Sequence, residues 1–344
     1  MIALSNIYFI ILITIFLSSL ITYIFNKKNI LIDEVSQSKH KKLTNNHLNS
    51  PSLCGGLIIF ICSALFFKEL SYVILFGLLI LLIGILSDAN KISSPSIRII
   101  LQFIVSCGFI ILADLGLKDL RIEKFNYLLN FNFISILFTV FCILILINGS
   151  NFLDGLNTLV IGYYSIICYF LISMSADFDL SINPNINLLL IFLLILYIFN
   201  FFNKIYLGDS GSYLIGFYVS FFVIDFSLRN SLISPYLICF FLWYPAFENL
   251  FSILRRKLSK NKVDEADQLH FHQMIYIYFV KKKFIEAKYI NTFVANLINV
   301  YNFTIFTIFY RFYFNTKIII LGTLLNILLY LIIYFFIKKK INQH

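Results

Sequence analysis

About eleven apolar stretches, most of them near 20 residues long, run almost end to end through this 344-residue chain. A stretch of that length is what a helix needs to cross the hydrocarbon core of a bilayer. Hydropathy reading places the spans at about 4–25, 54–67, 70–86, 97–115, 133–149, 156–176, 186–202, 212–228, 235–254, 287–309 and 317–337. The expected fold is therefore all-α, a polytopic transmembrane helix bundle of 10–11 spans. The first run lacks a basic segment before it and a small-residue cleavage site after it, so it reads as a retained first helix. The second is short, and Gly55-Gly56 marks a helix that begins inside the loop before it.

Composition agrees. The chain is 60% hydrophobic and 13% charged, where a soluble domain carries about 25% charged residues. A net charge of +10 fits nucleic acid or the basic loops of a membrane protein, and the hydropathy favours the second. No nucleic-acid partner is expected. The six cysteines sit in or beside apolar runs, with no CxxC and no Cys/His metal spacing, and read as small hydrophobes. No internal repeat and no soluble module stands out, so residues 1–344 read as one integral membrane domain.

Alternating the loops gives the orientation. About twenty of the 27 Lys and Arg residues fall on one side. The positive-inside rule assigns that side to the cytoplasm, with the N-terminus out and the C-terminus in.

Four polar clusters interrupt the apolar runs: Ser87-Asp88, Asn148 to Gly155, Gly208-Asp209-Ser210-Gly211-Ser212, and His270-Phe271-His272. All four lie at span ends on the side read as cytoplasmic. Ionisable groups at membrane depth are costly and mark function. Gly208, Asp209 and Ser210 open a span, where free N–H groups and the helix dipole suit phosphate and an aspartate suits a hard cation. A plain helix cap is the competing account. Asn148, Asn151 and Asp154 follow at intervals of three, one helical face, and Asn157 extends the row. The alternative is an interfacial helix end with Asp154-Gly155 as a turn.

Asp88 alone is a weak signal. Arg98, at the start of span four, is within reach of an anionic group. Arg256, His270 and His272 suit a diphosphate by charge and hydrogen bonding. Glu248, inside span nine shortly after Pro245, requires a partner or water. The basic run Lys39-His40-Lys41-Lys42 reads as a contact to anionic membrane lipid or a lipid phosphate, or as a topology signal.

Taken in order, these clusters resemble the polyprenyl-phosphate N-acetylhexosamine-1-phosphate transferase family, a glycosyltransferase family 4 group that includes undecaprenyl-phosphate GlcNAc-1-phosphate transferases. The resemblance covers about residues 35–275. The Asn-x-x-Asn-x-x-Asp-Gly pattern stands complete at Asn148 to Gly155, and Gly-Asp-x-Gly-Ser at Gly208 to Ser212. Departures are Ser87 for the first aspartate of an Asp-Asp pair, Gln273 for a histidine, Glu248 for an aspartate and Thr158 for a glycine. The spacing from Pro51 to Gly55 is one residue longer than the pattern.

The resemblance implies transfer of N-acetylhexosamine 1-phosphate from a UDP-N-acetylhexosamine to polyprenyl phosphate. The products are a polyprenyl-diphosphate-sugar and UMP, at the cytoplasmic face of a bacterial inner membrane. The step would begin a cell-envelope glycan such as cell-wall polymer or lipopolysaccharide. It implies Mg²⁺, or Mn²⁺ in its place, held by Asp209 with Asp154. Asp88 would act as base, as orienting group or as nucleophile on the lipid phosphate. Lys39, Asn148, Asn151, Asn157, Gly208, Ser210, Arg256, His270 and His272 would bind substrate. A homodimer is left open. The rival readings are a transporter or flippase of lipid-linked sugars, and a non-catalytic family member.

Overall fold

The computed structural model describes residues 4–32, 51–258, 269–283 and 286–343. Among them it contains α-helices and no strand, only one isolated antiparallel bridge between Ile32 and Ser52. In chain order the helices are α1 (Leu4–Lys27), α2 (Gly55–Phe66), α3 (Ser71–Asp88), α4 (Pro95–Ala113) and α5 (Glu123–Leu129). Then follow α6 (Asn132–Leu153), α7 (Leu159–Phe178), α8 (Asn185–Phe201), α9 (Gly208–Arg229) and α10 (Pro235–Phe241). The last are α11 (Trp243–Leu258), α12 (Phe271–Lys282), α13 (Ala287–Phe309) and α14 (Thr316–Asn342).

Eight of these helices are long and apolar enough to cross a membrane. Each of the eleven expected spans lands on helix, but three need revision. α2 and α8 are apolar yet only 12 and 17 residues long. The ninth span is not one rod: α10 and α11 meet at Leu242 with a bend of 73°. Pro245 explains the break. Proline has no N–H to give to the carbonyl four residues back, at Phe241. That carbonyl instead accepts the hydroxyl of Tyr163, 2.7 Å away.

α9 is the axis of the bundle. Every side chain from Ser210 to Phe226 is buried, and α3, α6 and α2 pack most closely on it. In lipid such packing rests on close backbone approach, since lipid tails are as apolar as leucine. Gly84 of α3 provides it: a Cβ there would lie 2.3 Å from the Cα of Ser210. The outer helices keep their large side chains exposed, as Tyr8, Leu12 and Phe16 of α1 and Leu324, Leu328 and Ile332 of α14 show. That apolar outer surface suits hydrocarbon rather than water. The central position of α9 carries its polar first turn into the middle of the helix ends around it.

Candidate functional site

The sequence places aspartate 209 in the first turn of α9 and aspartate 88 at the last residue of α3, and the packing joins them. Asp88 Oδ1 accepts the N–H of Asp209 at 2.8 Å, and Oδ2 accepts that of Ser210 at 3.0 Å. A helix start leaves its first N–H groups without partners, and a carboxylate there is doubly favoured by the dipole. Asp88 therefore caps α9 from another helix. The chain enters at Gly208 with φ +69°, a left-handed value natural to glycine, and a Cβ there would stand 2.7 Å from Asp88 Oδ2. The α9 amides considered for phosphate thus point at Asp88 in this arrangement. The Ser210 side chain is buried beside Leu207 O.

Asp209 is the hub. Its Oδ2 accepts the Ser87 hydroxyl at 2.5 Å and Arg98 Nη1 at 2.8 Å. The same Arg98 nitrogen meets Ser87 Oγ at 2.8 Å and Tyr213 OH at 3.3 Å. Oδ1 accepts Asn151 Nδ2 at 2.6 Å, and that amide also meets Ser212 Oγ at 3.3 Å. So the ends of α3, α4, α6 and α9 converge on one carboxylate. Ser87, the departure from the Asp-Asp pattern, bridges Arg98 and Asp209.

The expected row along α6 is only partly kept. Asn151 reaches Asp209, while Asn148 donates to Gln102 of α4 at 3.0 Å and to Leu144 O at 2.9 Å. α6 ends at Leu153, so Asp154 is its C-cap and Asn157 lies beyond the helix, off the row. Asn157 belongs to a separate bracket. Its N–H donates to Asn291 Oδ1 at 2.7 Å, and its side-chain amide donates to Asn203. Next to it Thr158 sits at φ +68°, a strained value for a β-branched residue. Its N–H goes to Asn200 Oδ1 at 2.6 Å and its carbonyl accepts Asn299 Nδ2 at 3.1 Å. α8 and α13 thereby hold the α6–α7 turn. The signal for this bracket was the recurrence of asparagine along the apolar α13, at Asn291, Asn296, Asn299 and Asn302.

The histidine segment closes the other side of that turn. His270 Nδ1 donates to Glu248 Oε1 at 3.0 Å, and Ser252 Oγ lies 3.2 Å from the same nitrogen. Glu248 is fully buried and also accepts the Phe271 N–H at 3.3 Å and the Tyr330 hydroxyl at 2.7 Å. These are the partners that a carboxylate inside a span requires. Phe152 at the end of α6 stacks near His270 at 5.1 Å, and the Arg256 guanidinium lies 5.6 Å from the centre of the Phe152 ring.

His272 follows, completely buried, and neither ring nitrogen has a hydrogen-bond partner. Its Nε2 lies 2.7 Å from where a Cβ on Gly155 would stand. Burial pushes the His272 imidazolium down to about 3, with Glu248 opposing the shift more weakly, so the ring is neutral. A neutral, unsatisfied imidazole in such a place calls for a ligand. Lys39 lies outside the described residues.

Among the described residues, no three His, Cys, Asp or Glu side chains gather into a metal cage. The donors at Asp209 are nonetheless hard oxygens, and Arg98 shows that the place accepts positive charge. Mg²⁺ keeps several waters and takes one or two carboxylates with substrate phosphates. The site fits such a hydrated ion with Asp209 as its carboxylate.

Comparison with known proteins gives two matches. Residues 70–227 match the model of glycosyl transferase family 4. The chain is also 25% identical over 277 residues to a probable undecaprenyl-phosphate N-acetylglucosaminyl 1-phosphate transferase of Bacillus subtilis (strain 168), covering 74% of this chain and 73% of that protein. The matched segment holds α3 to α9, and with them Asp88, Arg98, Asn151, Asp154 and Asp209. The segment that builds this site is thus similar to glycosyl transferase family 4.

Proposed function

We propose that the chain transfers N-acetylhexosamine 1-phosphate from a UDP-N-acetylhexosamine to polyprenyl phosphate, undecaprenyl phosphate in a bacterial membrane. A lipid phosphate oxygen bonds to the β-phosphorus of the UDP-sugar. The bond from that phosphorus to the bridging oxygen breaks, and UMP leaves with the electron pair. The reaction faces the cytoplasm, where the nucleotide sugar is. One observation carries this reading: four helix ends from distant sequence meet at Asp209, bringing carboxylates, an amide and a guanidinium together.

Phosphoryl transfer asks for positioning and charge neutralisation more than for covalent help. Mg²⁺, when bound, would offset the charge of the diphosphate. Asp209 would hold it; Asp154, the C-cap of α6, is the second carboxylate that the family resemblance assigns to it. Asp88 fixes the start of α9 and so the direction of Asp209. Asn151 keeps Oδ1 of Asp209 in place. His270, held by Glu248, and His272, with both ring nitrogens unused, suit the diphosphate or sugar, beside Arg256. The apolar surface between helices suits the prenyl chain.

The test is UMP release by purified protein given a UDP-N-acetylhexosamine, undecaprenyl phosphate and Mg²⁺. Asp209→Asn should reduce it by about a hundredfold to a thousandfold, the scale expected when a group stabilising transition-state charge is lost. A transporter or a binding subunit releases no UMP. Near-normal release by the variant would refute the role of Asp209. A panel of UDP-sugars then identifies the donor.

A further inference from the structure

Asp209 is the carboxylate assigned to the divalent ion, yet it already faces a cation. Arg98 Nη1 lies 2.8 Å from its Oδ2. Both side chains are partly open, 21% exposed for Arg98 and 26% for Asp209, so an ion arriving from solvent can reach the pair. The pairing also leaves Arg98 underused. Its Nε is buried and has no hydrogen-bond partner, while the single nitrogen Nη1 serves Asp209, Ser87 and Tyr213 together. A guanidinium is a planar fork that matches phosphate with two nitrogens at once. One nitrogen crowded and another orphaned is the pattern of a group still lacking its anion.

Charge makes the two cations exclusive. A divalent ion on Oδ2 of Asp209 would stand beside the guanidinium in a partly desolvated pocket, where like charges repel strongly. We propose that Arg98 is a latch on Asp209: it competes with the divalent ion for this carboxylate, and gives it up when a phosphate takes its free donors. The latch rests on the proposed assignment of the ion to Asp209. It makes ion and phosphorylated substrate enter together, because Arg98 leaves Asp209 readily only when an anion receives it. Ser87 stays behind as a neutral oxygen donor at the same spot. In the free protein, Arg98 keeps Asp209 from being an uncompensated negative charge next to Asp88.

The experiment uses Mn²⁺ alone. The full chain in detergent is titrated with MnCl₂, and free Mn²⁺ is read by its electron paramagnetic resonance signal, for wild type, Arg98→Gln and Asp209→Asn. Arg98→Gln should bind Mn²⁺ about tenfold or more tightly than wild type, as removal of an adjacent like charge requires. Asp209→Asn should lose that site. If Arg98→Gln binds no tighter while Asp209→Asn still loses the site, the latch is overturned and the ion assignment survives. If no binding depends on Asp209, both fall.

A second measurement works on the wild type. The side-chain ¹⁵N resonance of Arg98, assigned by its disappearance in Arg98→Lys, should move when Mg²⁺ saturates the protein. A resonance that stays put overturns the latch even if Arg98→Gln does not fold.

Discussion

His272 shows how a single residue can be read from its surroundings. Its ring is fully buried and its nitrogens lack partners, so the charged form is excluded by desolvation. The folded value near 3 lies below the usual 6.5, so the unfolded chain binds the proton and the folded chain does not. Stability from this group is whole above pH 6.5 and drains away as pH falls from 6.5 toward 3. Unfolding of the wild type in that window should therefore take up about one more proton than unfolding of His272→Phe. Unfolding midpoints measured against pH in detergent give the comparison, and identical slopes would contradict it. Ser87 is a second case: the departure from the Asp-Asp pattern was visible in the sequence, but its bond to Asp209 was not. Thr158 is a third. Its left-handed backbone persists because Asn200 and Asn299 bond its N–H and carbonyl.

At the scale of elements, the break between α10 and α11 directs the Glu248 helix toward the histidine segment. Hydropathy averages over a window and passes over one proline, so residues 235–254 read as a single span. Pro245 removes one backbone donor, and Tyr163 of α7 replaces it at the Phe241 carbonyl. Tyr163→Phe would leave that buried carbonyl without its partner and cost about 1–3 kcal/mol. Thermal unfolding in detergent checks this, and a variant as stable as wild type would show that the carbonyl is satisfied otherwise. The asparagine bracket on α13 belongs here too. It lies beyond the matched family segment yet holds the turn after Asp154.

For the whole molecule, the distribution of charge among the loops supplies the expected orientation. The loop before α4 should face the cytoplasm and the loop after α7 should face out. Lys91 and Asp179 are both exposed, one in each loop. In a background without the native cysteines, a membrane-impermeant thiol reagent added to intact cells should label Asp179→Cys and spare Lys91→Cys. The opposite pattern would invert the bundle and take the site away from the nucleotide sugar.

The spans, their order and the polar clusters at their ends were legible in the sequence because hydropathy and motif spacing are local along the chain. Glu248 could also be marked there as a carboxylate in want of a partner. Only the tertiary structure decided that the partners are His270 and Tyr330, that Asp88 caps α9, that Arg98 holds Asp209 and that Asn157 leaves its row. Those outcomes depend on where each helix ends and how it is rotated about its axis. Contacts such as Gly84 against Ser210 set that rotation, and they join residues more than a hundred positions apart.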